Sequence, residues 1–543
     1  MATQHNFNGR IIKLPGSYSE TKSGINNPPV QTTYGNVIII DDNATNPYGG
    51  GAGIDGQGEN GEGSVYGFDN IRDLREFVGG GVLWDLAAPL FKPFGSGSNG
   101  ASKVYVVRAL TTTQASYDLA LTGGTITLKV KHEGLVGNGV EGVTDQLTQG
   151  FAITMEAGVV DSTKFRFKFW RGTYKGLDSE GNILDNLSQQ DSAPKLITTS
   201  REVSTLTELK EWAAIDFDFG NNFDISADAI TSDTIIAADL TTTSGNQLFA
   251  GATQTASVAA MQSTLDSIKK TDYTFTLSLD SEANIASANN LKQVFHLQNE
   301  ARYQKYLIVG GGNDKNTFAT QSIASAKVFN TTRVIVVHGG CLVEDGLRLR
   351  KKNSLYKAAL VLGRTCGLEP QIPITFKGLA IAGEIHKMTD KERTVALDAG
   401  VLTTYFDSEL NDGGLFAITQ GINTLQNNSN VVNSDGTSHL VSVERIAASL
   451  NKSIEVNSKK KLLGNQSEGP NRSTLSTEIV KEWVENHLRT KEATPTVDNL
   501  IISWKDVTVT VEQDAYKIRY AFEPNFEVNK LFFTGLIIDP NIS

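Results

Sequence analysis

Residues 305–340 read "KYLIVGGGNDKNTFATQSIASAKVFNTTRVIVVHGG". Two short apolar runs, "KYLIVGG" (305–311) and "RVIVVHGG" (333–340), flank "TFATQSIASAKVF", which has helical spacing. Such unbroken apolar runs suit strands covered on both faces. The alternation begins upstream: "VAAMQSTLDSIKK" (258–270) is spaced as a helix, "YTFTLSL" (273–279) as a strand and "SANNLKQVFHLQNEAR" (287–302) as a helix. Strands alternating with helices predict right-handed βαβ crossovers and a parallel sheet.

Outward from this core, "YGNVIIIDD" (34–42) and "KVYVVRAL" (103–110) are further buried-strand candidates, separated by a Gly-rich loop over 48–63. From 124 the pattern changes. "TITLKVKH" alternates Ile126, Leu128 and Val130 with Thr and Lys, and "KFRFKFWRG" alternates Phe165, Phe167 and Phe169 with Arg166 and Lys168. Each predicts a strand with one covered face. Residues 176–255 are rich in Thr, Ser and Asp and read as part of an insertion, with a short helix at "TLTELKEWAAI". After the core, "MTDKERTVALDAG" carries a capping box, with Thr389 as N-cap and Glu392 three positions on, closing at Gly400. "VLTTYF" and "GLFAITQGI" predict a hairpin around "NDGG". Two helices follow, "HLVSVERIAASLNKSI" and "TLSTEIVKEWVENHL", then a second hairpin, "VTVTVEQDAYKIRYAFE". The expected fold is α/β plus α+β and multi-domain. Its parts are an N-terminal arm (1–30), an α/β core (31–123 and 256–375), a strand-rich insertion (124–255), a helix–hairpin C-terminal domain (376–527) and a C-terminal arm strand (528–543).

A chain of 543 residues exceeds one ordinary core, and a 39% hydrophobic, 20% charged composition is that of a globular protein. The net charge of −11 opposes polyphosphate, which makes nucleic acid a poor partner. The N-terminus lacks a basic start followed by an apolar core, and "VGGGVLWDLAAPLF" (78–91) is too short to span a bilayer, so synthesis in the cytoplasm without membrane insertion is expected. The 2 cysteines, Cys341 and Cys366, suit neither a disulfide framework nor a zinc cluster.

Candidate chemistry is sparse. "GQGENG" (56–61) has the spacing of a dinucleotide fingerprint but no strand directly before it and no helix after it. "IVGGGNDKNT" (308–317) stands where ligands bind in open α/β sheets, yet lacks the Gly-Lys-Ser/Thr of a phosphate loop. Asp280, Asp314 and His338 fall at or beyond strand ends of one sheet, which defines an alternative reading as an α/β hydrolase or nucleotide-binding enzyme. Loops in this position are polar whether or not they react. "KFRFKFWR" interleaves bases and aromatics as some single-strand binders do, but an amphipathic strand with a solvated basic face gives the same letters. No cofactor or metal is expected.

The chain's final residues, "NKLFFTGLIIDPNIS", are apolar on both faces of a would-be strand, and "GRIIKLPGSY" near the start is a second short extended apolar stretch. Neither has a local cover. Several stretches carry a likeness: "LPGSY" (14–18), "VYVVRAL" (104–110), "KHEGLVGNGV" (131–140), "KERTVALDAGVLTTY" (391–405) and "NFEVNKLFF" (525–533). In their order these resemble the tail sheath proteins of contractile bacteriophages, a family extending to contractile bacteriocins and injection systems. The resemblance implies a non-enzymatic structural subunit. It polymerises around a tail tube in the virion tail, meets baseplate and tail terminator proteins, and contracts to drive the tube through a target envelope. Its arms add strands to neighbouring subunits: Ile11, Ile12, Leu14, Tyr18, Leu531, Phe533, Ile537 and Ile538 donate, and Val507, Val509, Val511, Ile518 and Tyr520 help form the receiving sheet. Strand addition supplies main-chain hydrogen bonds for affinity and side-chain pockets for register.

Overall fold

The computed structural model describes residues 5–7, 10–12, 35–42, 65–78, 81–96, 100–133, 137–141, 147–172, 194–243, 245–279, 286–299, 305–345, 348–409, 414–425, 438–458, 462, 476–494, 499–512 and 515–525. Two compact units divide the chain, Met1–Thr32 and Thr33–Ser543. In the first, the strands His5–Phe7 and Arg10–Ile12 pair antiparallel as a small hairpin.

The second unit is built on a seven-stranded sheet. Its strands lie in the order Val401–Leu402, Val334–Val337, Tyr306–Gly310, Phe275–Ser278, Asn36–Asp41, Lys103–Arg108 and Tyr66–Phe68. All neighbours run parallel except the final pair, Lys103–Arg108 with Tyr66–Phe68. The expected parallel sheet over 273–340 is therefore present, and the two upstream runs join it. Helices cover both faces, which is why the central strands read as continuous apolar runs. On one side Val37, Ile39, Leu277 and Ile308 pack against the helices Gly81–Phe91 and Ser354–Cys366. On the other, Ile38 and Ile40 meet Met261 and Leu265 of the helix Val258–Ser267, while Leu307 and Val336 meet Val294, Phe318 and Ala396.

Three details depart from the pattern-based expectation. "VLTTYF" divides: Val401–Leu402 is the outermost parallel strand of the core sheet, and Thr404–Asp407 pairs antiparallel with Leu415–Ile418. The capping-box helix Asp390–Asp398 packs on that sheet through Ala396, so these residues, expected in the C-terminal domain, share the core of the sheet. The helical run after Asp314 also changes pitch, with a π-helical stretch at Phe318–Ile323 between α-helical Lys315–Thr317 and Ala324–Phe329. Phe318 and Ser322, both buried, meet His338 there, a placement characteristic of π-bulges at specialised sites.

A separate core runs from Ala115 to Ala252. It lies between a sheet ordered Phe223–Ile230, Gly124–Glu133, Gln114–Leu121 and one ordered Lys195–Thr199, Phe165–Arg171, Phe151–Ala157, Gln247–Leu248. The strand Gln114–Leu121, expected in the α/β core, contributes Ala115, Leu119 and Leu121 here. Phe165, Phe167 and Phe169 point inward, and Phe169 stacks on Trp212 at 5.9 Å. On the outer face Glu156 pairs with both Arg166 and Lys168. A carboxylate thus occupies the basic face that a single-stranded nucleic acid would need.

Candidate functional site

The C-terminal hairpin pairs Ile501–Glu512 with Ala515–Pro524 in a register that sets Val509 opposite Ile518 and Val511 opposite Tyr516. A bulge between Lys505 and Thr508 is accommodated by Asp506, whose φ of 57° is left-handed. The inner face is seated on the helices Val441–Ser458 and Thr477–Arg489. Val507, Trp504, Tyr520 and Phe522 pack with Ile446, Leu450, Val484 and Leu488. Val509, Tyr516 and Ile518 pack with Val480 and Trp483, and the Tyr520 hydroxyl donates to Asn451 Oδ1. The long helix also joins the layers, because Val441 and Val443 lie in the core of the parallel sheet and Ile446 and Leu450 in that of the hairpin.

Of the five residues expected on a receiving sheet, Val507, Val509, Ile518 and Tyr520 therefore face their own helices, while Val511 is 41% exposed. What the hairpin leaves open is main chain. It is a two-stranded sheet with no third strand among the described residues; near Ile501 it meets Lys491, Glu492 and Ala493, and Asn525 donates to Leu500. Strands 12 and 10 residues long with no flanking strand among the described residues are templates for further strands. Of the expected donor residues, Ile11 stands opposite Asn6 and Ile12 opposite His5 in the N-terminal hairpin. Leu14, Tyr18, Leu531, Phe533, Ile537 and Ile538 lie outside the described residues.

The residues of the enzyme alternative have structural occupations. Asp314 caps the helical run: its side chain accepts from the backbone N–H groups of Asn316 and Thr317 and from Thr317 Oγ1, each at 2.9 Å. Those bonds hold its carboxyl below the usual range. His338 is buried at 1% exposure. Gly312 N–H donates to Ser322 Oγ, that hydroxyl lies 2.8 Å from His338 Nδ1, and His338 Nε2 lies 2.9 Å from His386 Nδ1. His386 Nε2 faces Glu392 Oε1 at 3.7 Å. Lys357 closes the cluster, donating to the His338 carbonyl at 3.2 Å and to Glu384 at 3.0 Å. Burial foremost, with Lys357 and His386 adding, pushes the His338 imidazole down to about 3. Asp280 lies outside the described residues. Among the described residues no group of three His, Cys, Asp or Glu side chains is placed to hold a metal. The His338–His386 contact joins positions 48 apart and carried no spacing signal.

The fold as a whole is similar to that of solved sheath tail proteins. No family model matches the chain. The sheath tail protein of Desulfitobacterium hafniense aligns over 94% of this chain and 97% of its own with a TM-score of 0.55 and 17% identity. A sheath tail protein of Listeria innocua aligns over 92% and 94%, with a TM-score of 0.51 and 17% identity. In sequence, the chain resembles the tail sheath protein of Bacillus phage SP01, 22% identical over 587 aligned residues that span 95% of this chain and 94% of that protein.

Proposed function

We propose that this chain is the structural subunit of a contractile tail sheath, polymerising around a tail tube and contracting to drive the tube through the target cell envelope. The observation that carries this is the similarity to a phage tail sheath protein along 95% of the chain. The open edges of the C-terminal hairpin supply a device for polymerisation. Strands donated by residues 1–30 and 528–543 of neighbours extend that sheet through its backbone edges, with Val511 on its exposed part and Val507, Val509, Ile518 and Tyr520 holding the hairpin to its helices. Each large apolar side chain fully buried in such a joint contributes ~1.5–3 kcal/mol before ordering costs. The parallel sheet and its helices form the rigid body, the hairpin and its helices the inner domain, and the β-rich insertion an appended body. Extended and contracted sheaths are two packings of one polymer, with exchanged strands keeping subunits connected while the bodies rotate and slide. Heterologous contacts repeated without closure build the helical array. Its partners are other copies of itself, the tail tube, the baseplate and the tail terminator, in a virion tail assembled in the host cytoplasm.

Negative-stain microscopy of the purified protein tests this: hollow cylinders are expected. Removal of residues 528–543 leaves folded subunits that do not polymerise. Cylinders of normal length from the truncated protein would overturn the strand-exchange mechanism.

A further inference from the structure

The strand Arg348–Lys352, "RLRKK", is the outer member of a three-stranded sheet with Cys341–Asp345 and Gly383–Glu384. Its far edge carries no strand among the described residues. The strand is anchored from within. Lys352 Nζ lies 2.8 and 2.9 Å from the two carboxylate oxygens of Asp85, with side chains only 6% and 9% exposed. Cys341 and Val343, opposite Lys352 and Arg350, pack into the core of the parallel sheet. Thus a fixed backbone presents Arg348, Leu349 and Lys351 to solvent, Leu349 at 59% exposure. Among the described residues neither Arg348 nor Lys351 has an ion-pair partner.

Four of the strand's five residues are cationic, in a chain whose net charge is −11. Copies of such a chain repel one another at long range, because its 60 acidic side chains outnumber its 49 basic ones. A rigid edge with no flanking strand among the described residues, presenting Arg348 and Lys351 around the exposed Leu349, is complementary to an acidic stretch of such a neighbour. We infer that the Arg348–Lys352 edge is a contact surface for an acidic stretch of a second copy of this chain. The inference rests on the polymer proposed above and adds a charge-complementary joint distinct from strand exchange at the C-terminal hairpin. The competing use of edge cations is to keep foreign strands away, and the two uses respond oppositely to charge reversal.

The experiment compares the full chain with Arg348→Glu/Lys351→Glu and Arg348→Lys/Lys351→Arg, following cylinder formation by sedimentation and microscopy at low and high salt, with thermal melts confirming folding. Charge reversal is expected to raise the protein concentration needed for assembly by about tenfold or more. The charge-conserving variant should assemble like the parent, and salt should weaken assembly of both. Reversal that leaves a folded protein assembling like the parent at low salt would overturn the inference, because glutamates guard an edge as well as lysines do. If reversal unfolds the protein, Arg348→Gln/Lys351→Gln takes its place, with weakened assembly supporting the joint and parental assembly refuting it. A parent chain that forms no cylinders would instead overturn the polymer itself, and this contact with it.

Discussion

Arg108 Nε lies 3.1 Å from Asp41 Oδ2, with both side chains at 1% exposure, and the two residues are register partners at the ends of adjacent parallel strands. The pair closes the "VYVVRAL" strand against "NVIIID", and Ala109 N–H continues the contact to the Asp41 carbonyl at 2.7 Å. Arg108→Met removes the cation paired with the buried Asp41 carboxylate and is expected to cost about 3–5 kcal/mol. Removing both charges, as Asp41→Leu with Arg108→Met, should recover most of that loss. Urea unfolding followed by tryptophan fluorescence reads both, and a double variant no more stable than the single would refute the burial argument.

His338 makes stability depend on pH in one direction. Burial, Lys357 and His386 push His338 down to about 3, below an unfolded value near 6.5. The folded form binds fewer protons than the unfolded chain between those values. The contribution is complete above about pH 6.5 and is lost as pH falls toward 3, at roughly 1.4 kcal/mol per pH unit. Asp314 and Glu392, also held low, lose their contributions in acid as well, so the informative quantity is a difference between proteins. Thermal melts between pH 6.5 and 4 should show a steeper decline for the parent than for His338→Gln. Equal slopes would dismiss the histidine as the source.

Asp314 separates a capping role from a chemical one. Asp314→Ala is expected to cost about 1 kcal/mol, the usual worth of an N-cap, with Asp314→Asn costing less because an amide oxygen also caps. Urea midpoints decide. A carboxylate needed for its charge in catalysis would be lost in both variants alike.

The features legible from sequence are those with a period. "VIIID", "YTFTLSL", "YLIVG" and "RVIVV" announced buried parallel strands because both faces of each are covered. The alternation of Phe165, Phe167 and Phe169 announced one covered face, and Thr389 with Glu392 gave the cap of Asp390–Asp398. What escaped has no period. Val401–Leu402 contributes only two residues to the sheet, too few for any pattern, so "VLTTYF" looked like one hairpin strand. The cations of Arg348–Lys352 masked a strand whose buried contacts come mainly from its partner. In the C-terminal hairpin the apolar alternation was plain, but its direction was not: the same letters serve a face awaiting a neighbour or a face already seated on Ile446 and Leu450. The polar cluster around His338 depends on contacts up to 48 positions apart, which spacing along the chain does not encode.

At Gly363 the helix Ser354–Cys366 passes close to the end of the helix Gly81–Phe91. A Cβ there would stand 2.3 Å from the Pro89 carbonyl oxygen and 2.8 Å from that of Leu90, both at the end of the helix Gly81–Phe91. These are backbone atoms, so no side-chain rotation relieves the clash, and the helix Ser354–Cys366 would have to withdraw from its neighbour. Alanine ordinarily gains up to about 1 kcal/mol over glycine inside a helix. Here overpacking of about 1–3 kcal/mol opposes that gain, and the net expectation for Gly363→Ala is a lower melting temperature. A variant as stable as the parent or more so would mean that the two helices part without cost, and the core sheet would then be a poor candidate for the rigid body of the proposed contraction.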